Sequence, residues 1–475
     1  MSTAVINKKK KKVNHPFLAL VIMIIIVAVA THLVPAGEFD RVKTEDGRTV
    51  VDPTSYKVVE SNPAGIADFF QSFYFGFKKG SGVMGLVFFI GGAFGVIKAM
   101  GLLNIAVHAI TNKVKSKGIL LIAPIVMTAI FFNVTFTGMR ELDVIFISLM
   151  IPICVSLGYD SMTALGVVLV GSVAGFAPAL ANPFFTGIAH DIAELPIYSA
   201  MWYRGMVATV FLITGMLYVI WYAKKVKADP SKSIVADLPT EMELRKYYEE
   251  NGVEEENVEM SLRLKLAGLS FLALFAFMIF GTLKMSFGFA QLSGVFVAMA
   301  IIPGLVGGLT PNEICENFAK GCSDILVAVL IIFFARSILV LLENAKIIDS
   351  IIHFLSQFVT GTSTVTSAVA VYLLQTVINF IIPSGSGQAV ITMPIITPLA
   401  DIGGITRQVA CLASQLGDGI TNYFYITNGG LLAVLAVAKV PYGKWVRFFG
   451  PLFALYAVVA GIFVAVAQMI NLGPF

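Results

Sequence analysis

The sequence contains one polar motif twice, and both copies interrupt apolar segments. The first copy, residues 133–141, reads Asn-Val-Thr-Phe-Thr-Gly-Met-Arg-Glu, and the second, residues 379–388, reads Asn-Phe-Ile-Ile-Pro-Ser-Gly-Ser-Gly-Gln. Four pairs of residues share one offset of 246 positions: Asn133 and Asn379, Pro152 and Pro398, Gly171 and Gly417, and Asn182 and Asn428. A duplicated apolar unit with polar interruptions is typical of a secondary transporter.

The composition indicates a membrane protein. Of the 475 residues 57% are hydrophobic and only 13% are charged, whereas soluble domains carry about 25% charged residues. Apolar runs such as residues 17–30, 205–222 and 448–469 approach or reach the ~20 residues that cross a bilayer as a helix. We therefore predict an all-α polytopic membrane protein. Its expected partners are lipid and a small-molecule substrate, with no nucleic acid and no cofactor.

The lysines predict how the chain is oriented. Lys8–Lys12 precede the first apolar run, and further lysines cluster at residues 113–117 and 224–227. Cytoplasmic loops carry the excess of positive residues, so these clusters are expected inside the cell. The pattern predicts nine full crossings of the cytoplasmic (inner) membrane, with the N-terminus inside and the C-terminus outside.

Six regions follow from this orientation. A capping-box pattern, Thr240 with Glu243, predicts one short helix in the charged linker. The predicted order is an N-terminal transmembrane helix (1–34), an external loop with a small β-hairpin at Asp46-Gly47 (35–62), a first repeat (63–222), a cytoplasmic linker (223–262), scaffold helices (263–309) and a second repeat (310–475).

Two segments are too short for a pair of full crossings. Residues 118–157 and 367–402 each carry two apolar arms of about 15 residues around a polar tip. At ~1.5 Å per residue each arm reaches roughly 22 Å, less than the ~30 Å hydrocarbon core. We therefore predict one re-entrant hairpin in each repeat. The first would enter from the cytoplasm and the second from outside, so the two repeats are predicted to be inverted.

The two tips and two helix breaks are predicted to form one site. The breaks fall at Ala181-Asn182-Pro183 and within residues 417–430. Non-helical backbone at membrane depth must be buried in protein or line a wet cavity, so we expect the four interruptions to meet near the bilayer midplane. The alternative is that they are ordinary loops lying less deep. The predicted substrate-binding residues are Asn133, Thr135, Thr137, Gly138, Glu141, Asn182, Ser384, Gly385, Ser386, Gly387, Gln388, Asn422, Thr427 and Asn428.

A coupling cation is a further expectation. Half-helix C-termini and unwound carbonyl groups favour cations in transporters, and amide oxygens are suitable ligands for Na⁺. The candidate Na⁺ ligands are Asn133, Asn379, Asp418 and Asn422.

Charged residues within these segments have open roles. Intramembrane ionisable residues are usually functional, which favours Glu141 and Asp418 as site residues. Arg140 and Asp143 could instead pair locally. Arg336, deep in an apolar run, is interpreted as a scaffold residue, and Arg204 and Arg447 are interpreted as anchors near the membrane interfaces.

Several motifs resemble a known family. Residues 383–394, with the run Pro-Ser-Gly-Ser-Gly-Gln, the Gly417-Asp418-Gly419 motif and residues 440–445 resemble the YfcC-like members of the C4-dicarboxylate anaerobic carrier (DcuC) family. The similarity covers nearly the whole chain. The family belongs to the wider ion-transporter superfamily, so the resemblance implies a homodimer with a scaffold and a mobile transport domain that works by an elevator motion. It also implies transport of small carboxylate-bearing metabolites, and exchange of basic amino acids for YfcC-like members.

Two departures bear on the substrate. The family commonly carries paired glutamates at the first tip, where this chain has Glu141-Leu142, and Pro-Thr-Ser where this chain has Ile426-Thr427-Asn428. Losing one acid removes a counter-charge for a cationic side chain. The leading hypothesis is a secondary transporter for a small amino acid or organic carboxylate, coupled to Na⁺ or H⁺ or working by exchange. A C4-dicarboxylate transporter, a channel and a membrane-embedded enzyme are the alternatives.

Overall fold

The structure is a computed structural model made almost entirely of helices. It describes residues 16–43, 49–52, 54–102, 105, 118–138, 140, 142–196, 198–251, 261–285, 287–357 and 363–473. The helices of the first half are α1 (Pro16–Leu33), α2 (Ile66–Ala99), α3 (Ile119–Thr137), α4 (Asp143–Ser156), α5 (Ser161–Leu165), α6 (Gly171–Phe176), α7 (Ile188–Ile192), α8 (Met201–Ala228) and α9 (Pro239–Asn251). Those of the second half are α10 (Leu262–Lys284), α11 (Phe289–Gly307), α12 (Pro311–Asp324), α13 (Leu326–Asn344), α14 (Ile348–Ser356), α15 (Thr364–Ile381), α16 (Gly385–Ile402), α17 (Arg407–Thr421), α18 (Gly429–Val437) and α19 (Tyr442–Met469).

Short irregular helices connect some of these elements. Two π-helical turns, Gly166–Val170 and Pro183–Gly187, flank α6 and the first break, and a 3₁₀ turn, Pro230–Lys232, follows α8. One continuous hydrophobic core runs from α1 to α19 and includes buried residues of both halves. The two repeats are therefore packed into one body.

The loop after α1 contains the predicted β-hairpin. Strands β2 (Arg41–Lys43) and β3 (Thr49–Val51) pair antiparallel, and a second antiparallel pair joins β1 (Gly37–Glu38) to β4 (Lys57–Val58). The predicted hairpin is confirmed, while its turn at Asp46-Gly47 lies outside the described residues. The second strand pair was not predicted.

Six helices of the described chain are long and apolar enough to cross a membrane. They are Ile66–Ala99, Ile119–Phe136, Met201–Ala228, Phe289–Gly307, Thr364–Ile381 and Tyr442–Met469. The sequence prediction of a polytopic all-α protein is confirmed. The count of nine crossings and the orientation stay predictions.

The hairpin arms are longer than predicted. Helix α3 has 19 residues and both α15 and α16 have 18, whereas α4 has 14. The expected length of about 15 residues is therefore wrong for three of the four arms. At ~1.5 Å per residue, α3 alone reaches about 28 Å. The polar residues Asn133 and Asn379 lie within the last turns of α3 and α15, which is why the sequence pattern placed the tips too early. Re-entry and inversion stay predictions.

The two halves repeat one packing arrangement at the predicted offset. A methyl group added at Gly171 would lie 3.0 Å from the Cα atom of Met127 in α3, and one added at Gly417 would lie 2.8 Å from the carbonyl oxygen of Tyr372 in α15. In each half the first arm of the hairpin thus packs directly against a glycine of the broken helix. Glycine is needed here because two helix backbones approach closely.

The same packing corrects the position of the second break. The sequence placed the break from Gly417 onward, but α17 continues through Gly417, Asp418 and Gly419 and ends at Thr421. The irregular stretch is residues 422–428. Glycine is a weak helix former, so the two glycines predict a break in the helix. In the structure they lie inside α17, where tertiary packing accounts for them. The first break, residues 177–182, includes the predicted Ala181 and Asn182.

The linker contains the predicted short helix. Helix α9 begins at Pro239, so Thr240 lies inside it and is not the cap that the sequence predicted. The helix is anchored by Glu241, whose Oε2 accepts hydrogen bonds from the Ser161 hydroxyl at 2.5 Å and the Ser161 amide at 3.3 Å. The linker is thereby attached to the start of the first broken helix.

Candidate substrate and ion site

A chain of buried amides connects the second hairpin to the second broken helix. In the hairpin, the Gln375 amide donates to the Thr392 hydroxyl at 2.9 Å, and the Gln388 amide donates to the Gln375 side-chain oxygen at 2.6 Å. Asn379 in turn donates to the Gln388 oxygen at 3.1 Å. These bonds hold α15 and α16 together below the tip, so the hairpin is fixed by polar contacts in an apolar surrounding.

Asp418 is the acidic residue that this series of hydrogen-bonded amides contacts. Its Oδ1 accepts hydrogen bonds from the Asn379 amide and, at 3.0 Å, from the Asn422 amide. Within the described part of the chain, its Oδ2 is buried without a hydrogen-bond partner, and the same is true of the Asn379 side-chain oxygen. Two buried acceptors without donors favour a cation or a proton at this place, because an unpaired buried carboxylate oxygen is costly.

The amide chain ends at the start of α18. The Asn428 amide donates to the Asn422 oxygen at 2.5 Å, and the Asn428 oxygen caps α18 by accepting from the Leu431 amide at 3.0 Å. The state of Asp418 is thus connected through Asn422 and Asn428 to the N-terminus of a half-helix. Among the described residues, no group of three or more His, Cys, Asp or Glu side chains could hold a metal.

A small cleft of about 50 Å³ lies between the two tips and helices α2 and α13. One wall consists of residues from the first tip, the second tip and the second break: Arg140, Pro383, Thr427, Asn428, Gly429 and Gly430. The opposite wall comes from α2 and α13: Val83, Ile332, Ala335, Arg336 and Leu339. The cleft therefore brings one residue of each tip together with a face from outside the hairpins, while the convergence of all four interruptions stays a prediction.

The cleft is electropositive. Among its described lining residues the charged side chains are Arg140 and Arg336. The N-terminus of α18, a helix of 9 residues, opens at Gly429 and Gly430 and adds a partial positive charge. The hydroxyl of Thr427 beside it is buried and has no hydrogen-bond partner. Guanidinium groups, helix amides and a free hydroxyl together suit a carboxylate.

Arg140 is held at the cleft by aromatic rings. Its guanidinium carbon lies 4.6 Å from the ring centre of Phe176 and 5.5 Å from that of Tyr423. Its charge acts on the Asp418 carboxylate. Among the described residues, no hydrogen bond or ion pair joins its guanidinium to a side chain or backbone group.

A comparison with known proteins identifies the family of the chain. The C4-dicarboxylate anaerobic carrier family, DcuC, matches residues 13–469. The chain belongs to this family. YfcC of Escherichia coli (strain K12), to which basic amino acid antiport is provisionally assigned, is 29% identical over 487 residues and 94% of each chain is covered. An uncharacterised protein of Haemophilus influenzae (strain ATCC 51907 / DSM 11121 / KW20 / Rd) is 29% identical over 419 residues, covering 88% of this chain and 82% of the relative.

Two solved structures resemble this DcuC-family protein over nearly its full length. MtrF of Neisseria gonorrhoeae, described with a class of antimetabolite efflux pumps, has 19% identity and a TM-score of 0.43 and covers 97% of this chain and 96% of its own. The YdaH transporter of Alcanivorax borkumensis has 16% identity and a TM-score of 0.40, with 97% and 100% of the two chains covered. The family match and the six apolar helices, independently of these two structures, show a multi-pass membrane protein of a transporter family.

The predicted site residues fall into three groups in the structure. One group is joined by the amide chain: Asn379, Gln388, Asp418, Asn422 and Asn428. A second group forms the tip of α16, where Ser384 caps the helix by accepting from the Gly387 amide at 3.4 Å and a methyl group on Gly385 would lie 3.3 Å from Asp418 Oδ2. Ser386 and Gly387 are half-buried in the same turn. Thr427 and Asn428 line the cleft.

Other predicted residues lie apart from the cleft or outside the described chain. The Thr135 hydroxyl donates to the Gly175 carbonyl at 3.1 Å and is fully buried, which is a packing contact. Asn182 is fully buried in the first break, where its carbonyl accepts from the Gly187 amide. Asn133 is half-buried near the end of α3, which terminates at Gly138 with a positive φ of 67°. The Thr137 side chain and Glu141 lie outside the described residues.

Two arginines have contacts that the sequence pattern does not predict: Arg336 lines the cleft, and Arg204 is bonded to the first break. Arg336 packs its stem against Gly80 of α2, where an added methyl group would lie 3.3 Å from the Arg336 Cγ. An intramembrane arginine was itself a signal of function. Arg204 is 2% exposed and donates to the Leu180 and Tyr198 carbonyls at 3.0 and 3.1 Å. Its hydrogen bonds therefore stabilise the first break, and its place near a membrane interface stays a prediction.

Proposed function

We propose that this protein is a secondary active transporter that binds the carboxylate of a small solute in the cleft. The observation that carries the proposal is the cleft lining, in which Arg140, Arg336 and the N-terminus of α18 surround one space. Charge-assisted bonds from guanidinium groups to a carboxylate are short and strong, and frequently bidentate. In a low-dielectric site they are stronger than in water.

The charge of the cleft favours an organic carboxylate over a solute with a cationic side chain. Two arginines would repel an ammonium or guanidinium group, and a C4-dicarboxylate could engage both. Exchange of basic amino acids is the second candidate, because the 29% identical relative YfcC is provisionally assigned that activity. It would need an acid near the cleft, for which Asp418 and Glu141 are the candidates.

Coupling is proposed to involve Asp418. Its Oδ2 and the Asn379 oxygen are buried without donors, and Asn422 contributes a further amide beside them. Na⁺ held by these oxygens, with Asn133 completing the set, is one proposal, and a proton on Asp418 is the other. Exchange without a coupling ion is the alternative.

The transport movement is proposed to separate the two walls of the cleft. The tips and the second break form one wall, and α2 with α13 forms the other. An elevator motion would carry the first wall past the second within a homodimer in the cytoplasmic membrane, with the N-terminus inside and the C-terminus outside.

Ligand-dependent melting of the purified protein tests the proposal. Succinate, aspartate and arginine would each be titrated with and without Na⁺, because a ligand at 100 times its Kd raises stability by about 2.7 kcal/mol. We expect succinate or aspartate to stabilise the protein and Arg336→Gln to weaken that ligand at least tenfold. Arg447→Gln is the matched control, since Arg447 is exposed. Stabilisation by arginine alone would select the second candidate, and no stabilisation by any of the three would reject both.

A further inference from the structure

We infer that Phe176 and Tyr423 are positioning residues that hold the Arg140 guanidinium for substrate, an inference that rests on the proposed function. The three groups form a triangle: the guanidinium carbon lies 4.6 Å and 5.5 Å from the two ring centres, and the ring centres lie 6.1 Å apart. The rings meet at 65°, edge to face. Arg140 therefore packs in the corner between them.

The two rings come from the two broken helices. Phe176 is the last residue of α6, before the first break, and Tyr423 lies in the second break, just after α17. Arg140 comes from the first tip. The clamp, defined as Phe176 and Tyr423, thus brings together both halves of the duplicated sequence at the wall of the cleft.

Each of the two aromatic residues is hydrogen-bonded to a residue of the other half. The Tyr423 hydroxyl is hydrogen-bonded to the Ser172 hydroxyl of α6 at 2.6 Å, and the Phe176 carbonyl accepts from the Gln415 amide of α17 at 3.0 Å. The Tyr423 carbonyl also accepts from the Trp445 indole at 2.8 Å. Both rings are buried, and hydrogen bonds fix the Tyr423 hydroxyl and the Phe176 backbone, so the ring positions do not depend on Arg140.

Aromatic rings suit this role because they hold a cation without using its donors. A carboxylate partner would occupy the N–H groups of Arg140 and cancel its charge, whereas a ring face attracts the guanidinium through the ring quadrupole. The donors then stay available for a bidentate bond to a substrate carboxylate. A lysine has no planar guanidinium and could not form a bidentate bond from this corner, so it would not replace Arg140 in the clamp.

Four variants test the clamp, with the Kd measured by melting titration of whichever of succinate, aspartate or arginine stabilises the parent most. Tyr423→Leu removes the ring and is expected to weaken binding about 3- to 30-fold. Tyr423→Phe keeps the ring but loses the Ser172 bond, so it should stay within about threefold of the parent and should match Ser172→Ala. Phe176→Leu is the second ring deletion if Tyr423→Leu does not fold.

The double variant separates positioning from general damage. In an Arg140→Gln background the ring has nothing to position, so adding Tyr423→Leu should change the Kd less than twofold. An equal loss with and without Arg140 would overturn the clamp while leaving the proposed function intact. If Arg140→Gln leaves the Kd unchanged, the carboxylate assignment at Arg140 falls, and the clamp falls with it.

Discussion

Asp418 combines full burial with an unpartnered carboxylate oxygen. Its Oδ1 is bonded by Asn379 and Asn422, while its Oδ2 faces the tip of α16 at Gly385. Asp418→Asn keeps the size of the side chain and removes the charge. If Asp418 binds the coupling cation, we expect proteoliposome uptake to fall at least tenfold, since a hydrogen bond to a charged group contributes about 1.5–3 kcal/mol.

The dependence of uptake on the Na⁺ concentration identifies the coupling ion. For Na⁺ coupling, the loss in Asp418→Asn should shrink as Na⁺ is raised, because a weakened site is refilled by mass action. Asp324→Asn is the matched control, since Asp324 is exposed at the end of α12. Uptake at the parent rate in Asp418→Asn would show that this carboxylate does not couple transport. A loss that is unchanged by Na⁺ would favour the proton.

Gly417 sets the distance between α17 and α15. A methyl group there would lie 2.8 Å from the Tyr372 carbonyl oxygen and 2.9 Å from the Thr376 amide nitrogen, both backbone atoms. Gly417→Ala is therefore expected to cost about 1–3 kcal/mol of stability by overpacking. In Gly450→Ala the added methyl group has no atom within 4 Å, and alanine is the better helix former. A lower melting temperature for Gly417→Ala than for Gly450→Ala checks the prediction; equal values would contradict it.

At the scale of elements, the sequence predicted the presence of the hairpins and breaks better than their limits. Apolar runs with polar interruptions identify the helices and the breaks between them. They do so because the hydrophobic periodicity and the composition of a segment indicate whether it is buried. The observed ends of the hairpin arms differ from the predicted ones because Asn133 and Asn379 lie inside helices. The second break begins later than predicted because Gly417 packs against α15 within a continuous helix. Such outcomes depend on contacts between distant residues, such as Gly417 with Tyr372, which local sequence does not contain.

The docking of α9 should depend on pH. Burial raises the pKa of the Glu241 carboxyl above its ordinary value of 4.5, and the nearby Asp160 charge raises it further. Its hydrogen bonds from Ser161 and Arg245 act in the opposite direction. The folded protein therefore binds this proton more tightly than the undocked helix does. Docking α9 with an ionised Glu241 therefore costs free energy. This cost is absent below pH 4.5, where the carboxyl is protonated in both states, and it is complete once the pH exceeds the raised pKa. Docking therefore weakens as the pH rises.

Hydrogen–deuterium exchange of residues 239–251 measures this effect. After correction for intrinsic exchange rates, protection of α9 should fall between pH 5 and pH 8 in the parent. In Glu241→Gln the side chain can still accept the Ser161 bonds but does not titrate, so the slope should flatten. Glu243→Gln, an exposed position on the same helix, should keep the parent slope. Equal slopes in all three proteins would show that Glu241 does not control docking.

At the scale of the whole molecule, the cleft was only partly foreseeable. The repeat offset identified two tips, and one residue of each, Arg140 and Pro383, lines the cleft. The opposite wall comes from Val83 and Arg336, and no repeat or motif connects these residues to the tips. Their approach depends on the packing of α2 against α13, for which Gly80 receives the Arg336 stem. A duplication is visible in a sequence. The contacts that bring α2 and α13 to the two tips are set by the tertiary fold.

The orientation of the chain is the prediction on which the inverted repeats depend. Lys225 lies 5.4 Å over the Trp221 ring and Lys227 lies 4.9 Å over the Tyr159 ring, an arrangement of basic and aromatic residues typical of a cytoplasmic interface. By contrast, Arg41 in the loop after α1 forms an ion pair with Asp349. The inside placement of the linker and the outside placement of the loop stay predictions from the lysine distribution.

Cysteine labelling of intact cells tests this orientation. In a background in which Cys315 and Cys322 are replaced by serine, single cysteines would be placed at Ser2, Thr54, Ser231 and Asn471. A membrane-impermeant maleimide should label the Thr54 and Asn471 positions in intact cells, and the Ser2 and Ser231 positions only after permeabilisation. An odd number of crossings requires the two chain ends to lie on opposite sides. Labelling of Ser2 and Asn471 from the same side would therefore refute the odd count, and with it the inversion that places the two hairpins on opposite faces of the membrane.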